Sequence, residues 1–122
     1  MAIENDNAVL SKSTNFAIRI IVLCKQLKHQ GEDVLSHQLL KSGTSIGANL
    51  TENRDSISHA EFISKTQISL KECSEAIYWL YLLVKTDYIS QELYDSLSSD
   101  AQEIRRLLVA ILRTAKSKPR EW

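Results

Sequence analysis

Residues 36–54 read SHQLLKSGTSIGANLTENR, and this run of small and polar residues decides the fold. On a helix, Leu39, Gly43, Ile46, Gly47 and Leu50 recur at spacings of three and four and share one face, which has almost no bulk in its middle. A glycine inside a helix costs about 1 kcal/mol relative to alanine, so two of them a turn apart predict a neighbouring helix that approaches unusually closely. Ser42, Ser45 and Asn49 flank the same groove, where their short side chains are expected to bond across to that neighbour. The stretch reads as the buried plate of a helical bundle, in a helix spanning about 35–53 and capped by Asp33 or Ser36.

The chain on either side is built to the same plan. It has three glycines and one proline, and because that proline is Pro119, nothing from Glu4 to Lys118 forces a helix to break. Ahead of the plate, a helix of about 7–30 carries Phe16, Ile20, Leu23 and Leu27 on one stripe and Ala17, Ile21 and Cys24 on the next, with Ile18 and Val22 outside both. A helix apolar over so much of its circumference is covered on more than one side, and in a chain this short the extra cover is most economically a second subunit. Gly31 follows Lys28 and His29, the pattern of a helix end.

Beyond the plate, Ser58-His59-Ala60-Glu61 is a capping box, with Ile57 and Phe62 placed as a hydrophobic staple, and it opens a helix of about 58–86. Ile63, Leu70, Cys73, Ile77, Leu80 and Val84 form its core stripe, with Phe62, Ala76, Trp79 and Leu83 beside it. The short link after Thr86 turns a last helix, about 90–117, back antiparallel, with Ile89 and Tyr94 as another staple. Its line of Leu93, Leu97, Ala101, Ile104, Leu108, Ile111 and Ala115 alternates four and three apart, the seam of a left-handed bundle. The expected fold is all-α, a single up-and-down antiparallel four-helix-bundle domain over residues 1–122.

Composition narrows the function classes. Hydrophobic content of 43% and charged content of 25% belong to a globular chain and exclude disorder as a description of the whole. Fifteen basic residues balance fifteen acidic ones, which argues against a polyanion binder driven by bulk charge. The charge is nevertheless uneven: residues 104–122 hold six basic residues against Glu121, a net of +5, leaving −5 on the first 103. Cys24 and Cys73 lie inside apolar helical patterns and read as free buried thiols of a reducing compartment. No stretch reaches the roughly 18 apolar residues of a membrane span, and the N-terminus has no basic region ahead of an apolar run, so a cytoplasmic protein is expected.

Several motifs together resemble a known family. Gln38 to Glu52 (QLLKSGTSIGANLTE), Glu61-Phe62, Ser69-Leu70, Ser74-Glu75 and Tyr88-Ile89 are similar to the bacterial four-helix-bundle proteins encoded within intervening sequences of 23S ribosomal RNA genes, the S23-type family. The similarity runs from about Phe16 to Leu112. That family in turn resembles the accessory protein of diversity-generating retroelements, a barrel-shaped homopentamer that binds a reverse transcriptase and nucleic acid. The resemblance implies a ring-like homopentamer of undefined molecular role, with self-association as the main partnership and RNA or a nucleic-acid-processing protein as a further partner.

The candidate sites are weighed on chemistry. Glu52 and Glu75 could stand as paired carboxylates, but an enzyme also needs a nucleophile or metal and a pocket, so Ser42, Ser45, Asn49 and Glu75 read rather as a partnered polar network fixing helix register, with Gly43, Gly47 and Glu52 in the same structural motif. His29, His37 and His59 have no second ligand at metal spacing, and no phosphate loop or nucleophile elbow is present, so no enzyme activity, cofactor, metal or small-molecule substrate is expected. The basic residues Arg105, Arg106, Arg113, Lys116, Lys118 and Arg120 are the candidate nucleic-acid contacts, with Tyr78, Trp79 and Tyr81 as possible stacking groups. The leading reading is a homo-oligomeric assembly or adaptor protein; the alternative is direct RNA binding through the C-terminal cations.

Overall fold

The structure is a computed structural model describing residues 8–117. Four helices follow one another, α1 Ala8–His29, α2 Val34–Asn53, α3 His59–Lys85 and α4 Gln91–Ser117, with no strand among the described residues. Their ends lie within about a residue of those the sequence predicts, and the expected start at Asn7 lies outside the described residues. Helix α1 packs on α2, α2 on α3, α3 on α4, and α4 returns to α1, so α1 and α3 are diagonal partners across an antiparallel bundle.

Local chemistry explains each turn. Gly31 takes φ +88°, and the amides of Gly31 and Glu32 close on the carbonyls of Lys28 and Leu27 at 3.0 and 2.9 Å, ending α1. The cap of α2 is neither Asp33, whose side chain makes no cap bond, nor Ser36. The carboxylate of Glu32, carried back over the helix start by the glycine turn, accepts from the Leu35 amide through both oxygens. Ser36 instead ties the helices together: its hydroxyl donates to the Cys24 carbonyl at 3.3 Å while the Cys24 thiol donates to the Ser36 carbonyl at 3.4 Å.

Half of the predicted capping box of α3 forms: the Glu61 amide donates to Ser58 Oγ at 3.0 Å, while Glu61 Oε2 accepts from the Ile57 amide at 3.3 Å, one residue ahead of the cap. Its staple does not close, because Ile57 is 83% exposed. The staple of α4 does close: Ile89 is buried, Tyr94 packs on the core, and Ser90 Oγ caps the Leu93 amide at 3.1 Å.

Phe16, Ile20 and Leu27 of α1, Leu39 and Ile46 of α2, Leu80 and Leu83 of α3, and Leu97, Ile104 and Leu108 of α4 are fully buried, each contributing about 1.5–3 kcal/mol of transfer free energy. The glycines of the plate face α1. A Cβ on Gly43 would stand 2.9 Å from Ile20 Cγ2, whereas one on Gly47 would meet Ser13 Cβ at an ordinary 3.7 Å. The outer edge where α1 meets α4 is held by Arg19, which pairs with Asp100 at 2.6 Å and reaches Ser96 Oγ at 2.9 Å, and by Lys12 with Glu103 at 3.3 Å.

Candidate functional site

The polar side chains of α2 bond to its own backbone. Ser42 donates to the Leu39 carbonyl at 3.3 Å, Ser45 to Lys41 at 2.6 Å, and Asn49 to Ser45 at 2.8 Å. The bonds expected to cross to a neighbouring helix through these residues are thus made within α2, since a short hydroxyl or amide on a helix reaches the carbonyl one turn back before it reaches another rod. Glu75 takes no part in these bonds; it lies one turn beyond Glu72, whose carboxyl is raised first by burial and next by the charge of Glu75. Glu52 is paired with Lys65 at 3.0 Å, and Glu75 lies ten residues beyond Lys65, roughly 15 Å along α3, so the two carboxylates do not form a pair.

The polar ties between α2 and α3 come from residues outside the polar network predicted from Ser42, Ser45, Asn49 and Glu75. Ser69 donates to the Ile46 carbonyl at 3.0 Å, in full burial. Asn53, the last residue of α2, donates to Thr66 Oγ1 at 2.9 Å and to the Phe62 carbonyl at 3.3 Å, and accepts from Ser56 Oγ at 2.5 Å. The Asn53 and Ser56 spacing was the available signal; nothing in the sequence pointed to Thr66 across the turn.

The predicted basic strip is on the surface. Arg105, Arg106, Arg113 and Lys116 are all exposed, and α4 has no acidic residue from Ile104 to Ser117, while Lys118 and Arg120 lie outside the described residues. Arg105 Nε donates to Ser74 Oγ at 3.4 Å and rims a groove of about 620 Å³ with Lys71, Glu75, Tyr78 and Trp79. Tyr78 and Trp79 stand at 5.3 Å between ring centres; Tyr81 meets Tyr94 edge-on at 6.5 Å and lies under the Lys85 ammonium at 5.5 Å. Trp79 packs against the core, leaving Tyr78 and Tyr81 exposed.

Burial raises the Cys73 thiol to about 11, against a smaller opposing pull from Arg105, and its Sγ donates to the Ala101 carbonyl at 3.2 Å. The Cys24 thiol is likewise raised, first by burial. Both are free, buried and far from thiolate reactivity. Among the described residues no group of three His, Cys, Asp or Glu could hold a metal ion, and no helix is long and apolar enough to cross a membrane.

A second feature is apolar surface left facing solvent. On α1, Ile18 is 55% and Val22 52% exposed, with Ile21 beside them; on α3, Tyr78 is 55% exposed, with Ile68 and Tyr81. The sequence had placed Ile18 and Val22 outside both core stripes, and the structure leaves them there.

These features define an up-and-down four-helix bundle whose polar centre ties its own helices together and whose side-chain chemistry outside the core lies in surface grooves. The family model described as 23S rRNA-intervening sequence protein matches residues 5–110, and the chain belongs to that family. It is similar to a protein of unknown function from the S23 ribosomal protein family of Bacteroides thetaiotaomicron, whose crystal structure superposes with a TM-score of 0.84 at 48% identity, covering 86% of this chain and 98% of that one. A comparison with curated proteins returns no match.

Proposed function

We propose that this protein is a non-catalytic, homo-oligomeric assembly subunit that works in the cytoplasm as an adaptor connected with ribosomal RNA, with five copies the count its family resemblance leads one to expect. The observation that carries this reading is the solvent-facing apolar surface of Ile18, Ile21 and Val22 on α1 and of Ile68, Tyr78 and Tyr81 on α3. Contiguous exposed side chains of this kind mark interaction surfaces in soluble proteins. Light scattering on the purified chain at micromolar concentration is expected to give a multiple of the 13.9 kDa protomer. A monomer mass would end the proposal.

A second reading, direct RNA binding, is favoured by one specific observation: from Ile104 to Ser117 the exposed charges of α4 are all positive, and Arg106, Arg113 and Lys116 have no ion-pair partner among the described residues. Phosphate contacts make affinity fall steeply with salt. Replacing Arg105, Arg106 and Arg113 with Ala is then expected to flatten the salt dependence of RNA binding, and an unchanged slope excludes these residues as contacts.

A further inference from the structure

The basic end of α4 is arranged as two pairs of cations with a gap between them. Arg105 and Arg106 form the upper pair and Arg113 and Lys116 the lower; all four are exposed, and the helix has no carboxylate from Ile104 to Ser117. The centres of the pairs are about nine residues apart, roughly 13 Å at the helical rise. Arg106, Ala110 and Arg113 stand four and three apart on one stripe, and Arg105, Val109 and Lys116 follow the stripe beside it. The middle of the strip is therefore Val109 and Ala110, short and uncharged.

The carboxylates around the strip are engaged elsewhere or lie at its edge. Glu103 pairs with Lys12 and Asp100 with Arg19, both on α1, at 3.3 and 2.6 Å. On the other flank Arg105 donates from Nε to Ser74 of α3 at 3.4 Å, and Lys71 lines the same groove, in which Glu75 is the one carboxylate. No residue of the strip belongs to the apolar faces of α1 and α3, so it is separate from the surface that self-association would cover.

A single strand is gripped by splaying its bases on to aromatic rings set among cations. Helix α4 has no aromatic residue from Ile104 to Ser117, and Tyr78 of α3 shares a groove with Arg105 at the upper end only. Two cation pairs about a smooth middle match instead two phosphate backbones with a groove between them. Val109 and Ala110 are too short to enter a deep groove, so the helix suits one that is wide and shallow, which describes the minor groove of A-form RNA. The B-form minor groove, about 6 Å wide, is too narrow for this spacing, and the B-form major groove, about 8.5 Å deep, would leave the middle of the helix over a void.

Resting on the reading of the α4 cations as RNA contacts, we propose that this strip docks double-stranded RNA: α4 lies across the minor groove, with Arg105 and Arg106 on the phosphates of one strand and Arg113 and Lys116 on those of the other. Three of the four contacts are guanidinium forks, which hold a phosphate through two nitrogens. Recognition is of A-form shape without sequence preference, because no side chain between the pairs is long enough to reach a base edge.

The test follows fluorescence anisotropy of a labelled RNA duplex of roughly 20 base pairs, enough for a shape-reading domain, of one of its strands alone and of the DNA duplex of the same sequence, each with the full-length protein over a range of salt. Duplex RNA should bind about tenfold or more tighter than either of the others. Arg106→Ala and Arg113→Ala, on opposite sides of the gap and checked for wild-type helix content by circular dichroism, should each lower the slope of log affinity against log salt by about one. Ala110→Tyr should weaken duplex binding several-fold by lifting the helix off the groove, whereas a single-stranded ligand would gain from the added ring. Single-stranded RNA or DNA duplex binding as tightly as duplex RNA, an unchanged slope in only one arginine variant, or tighter binding by Ala110→Tyr overturns the inference while leaving RNA contact through α4 standing. Absence of RNA binding by the wild type, or an unchanged slope in both arginine variants, overturns both. The comparison of the three nucleic acids uses the unaltered protein and decides the matter should a variant fail to fold.

Discussion

Gly43 of α2 lies directly against the side chain of Ile20 of α1, so close that a methyl group there would stand 2.9 Å from Ile20 Cγ2 and 3.3 Å from Ile20 Cβ. The obstructing atoms are the branch point of a fully buried side chain, which cannot swing away. Gly43→Ala should therefore destabilise the fold by about 1–2 kcal/mol, because overpacking costs more than the roughly 1 kcal/mol that alanine returns in helix propensity. A denaturant midpoint at or above that of the wild type would contradict this account.

Gly47 should answer with the opposite sign. Its added methyl meets Ser13 Cβ at 3.7 Å, an ordinary contact, so Gly47→Ala is expected to stabilise by up to about 1 kcal/mol. Thermal unfolding of the two glycine variants side by side separates close approach from mere helix softness.

Ser13 faces the same crossing with its hydroxyl fully buried and without a hydrogen-bond partner. An unpaired buried hydroxyl costs about 1–3 kcal/mol in proteins. Ser13→Ala should leave stability equal to the wild type or higher, measured by urea titration, and a clear loss would reveal a partner for this oxygen.

Asn53 fastens the end of α2 to the start of α3 through Thr66, Phe62 and Ser56. Asn53→Ala strips partners from Thr66 and Ser56 and should cost about 2 kcal/mol. The loss should appear as faster amide exchange over the α2–α3 turn, whereas Ser45→Ala and Asn49→Ala, whose bonds stay within α2, should cost far less.

The raised Glu72 fixes the direction of one pH effect. Partial burial comes first and Glu75 next, so the folded state holds the Glu72 proton more tightly than the unfolded chain does. Its unfavourable contribution is absent below the unfolded value of 4.5 and develops as pH rises through the higher folded one. Glu72→Gln should therefore be more stable than the wild type at neutral pH, with the advantage shrinking in acid. Melting curves showing the same difference at pH 3 and pH 7 would refute the assignment.

The legibility of the fold and the opacity of its polar contacts have different physical origins. The four helices follow from one-dimensional patterns: the four-and-three line from Leu93 to Ala115, the Ser58 capping box, the Gly31 stop. Ile18 and Val22 were recognisable as surplus because a helix has a fixed angular period and they fall outside its core arc. Hydrogen-bond partners obey no such period. Ser45 and Asn49 turned back on their own helix, Glu52 met Lys65 rather than Glu75, and Asn53 found Thr66 thirteen residues on.

What the sequence by itself determined was the number, length and direction of the rods and the need for one of them to come close to the glycine plate, since helix period, caps and glycine costs are properties of neighbouring residues along the chain. Only the tertiary structure decided that Ile20 is the side chain pressed on Gly43, that Gly47 has room to spare, and that Ser69 of α3 reaches the Ile46 carbonyl of α2. Those are relations between rods, fixed by the angle and height at which helices cross, and crossing geometry is settled by packing of the whole core at once.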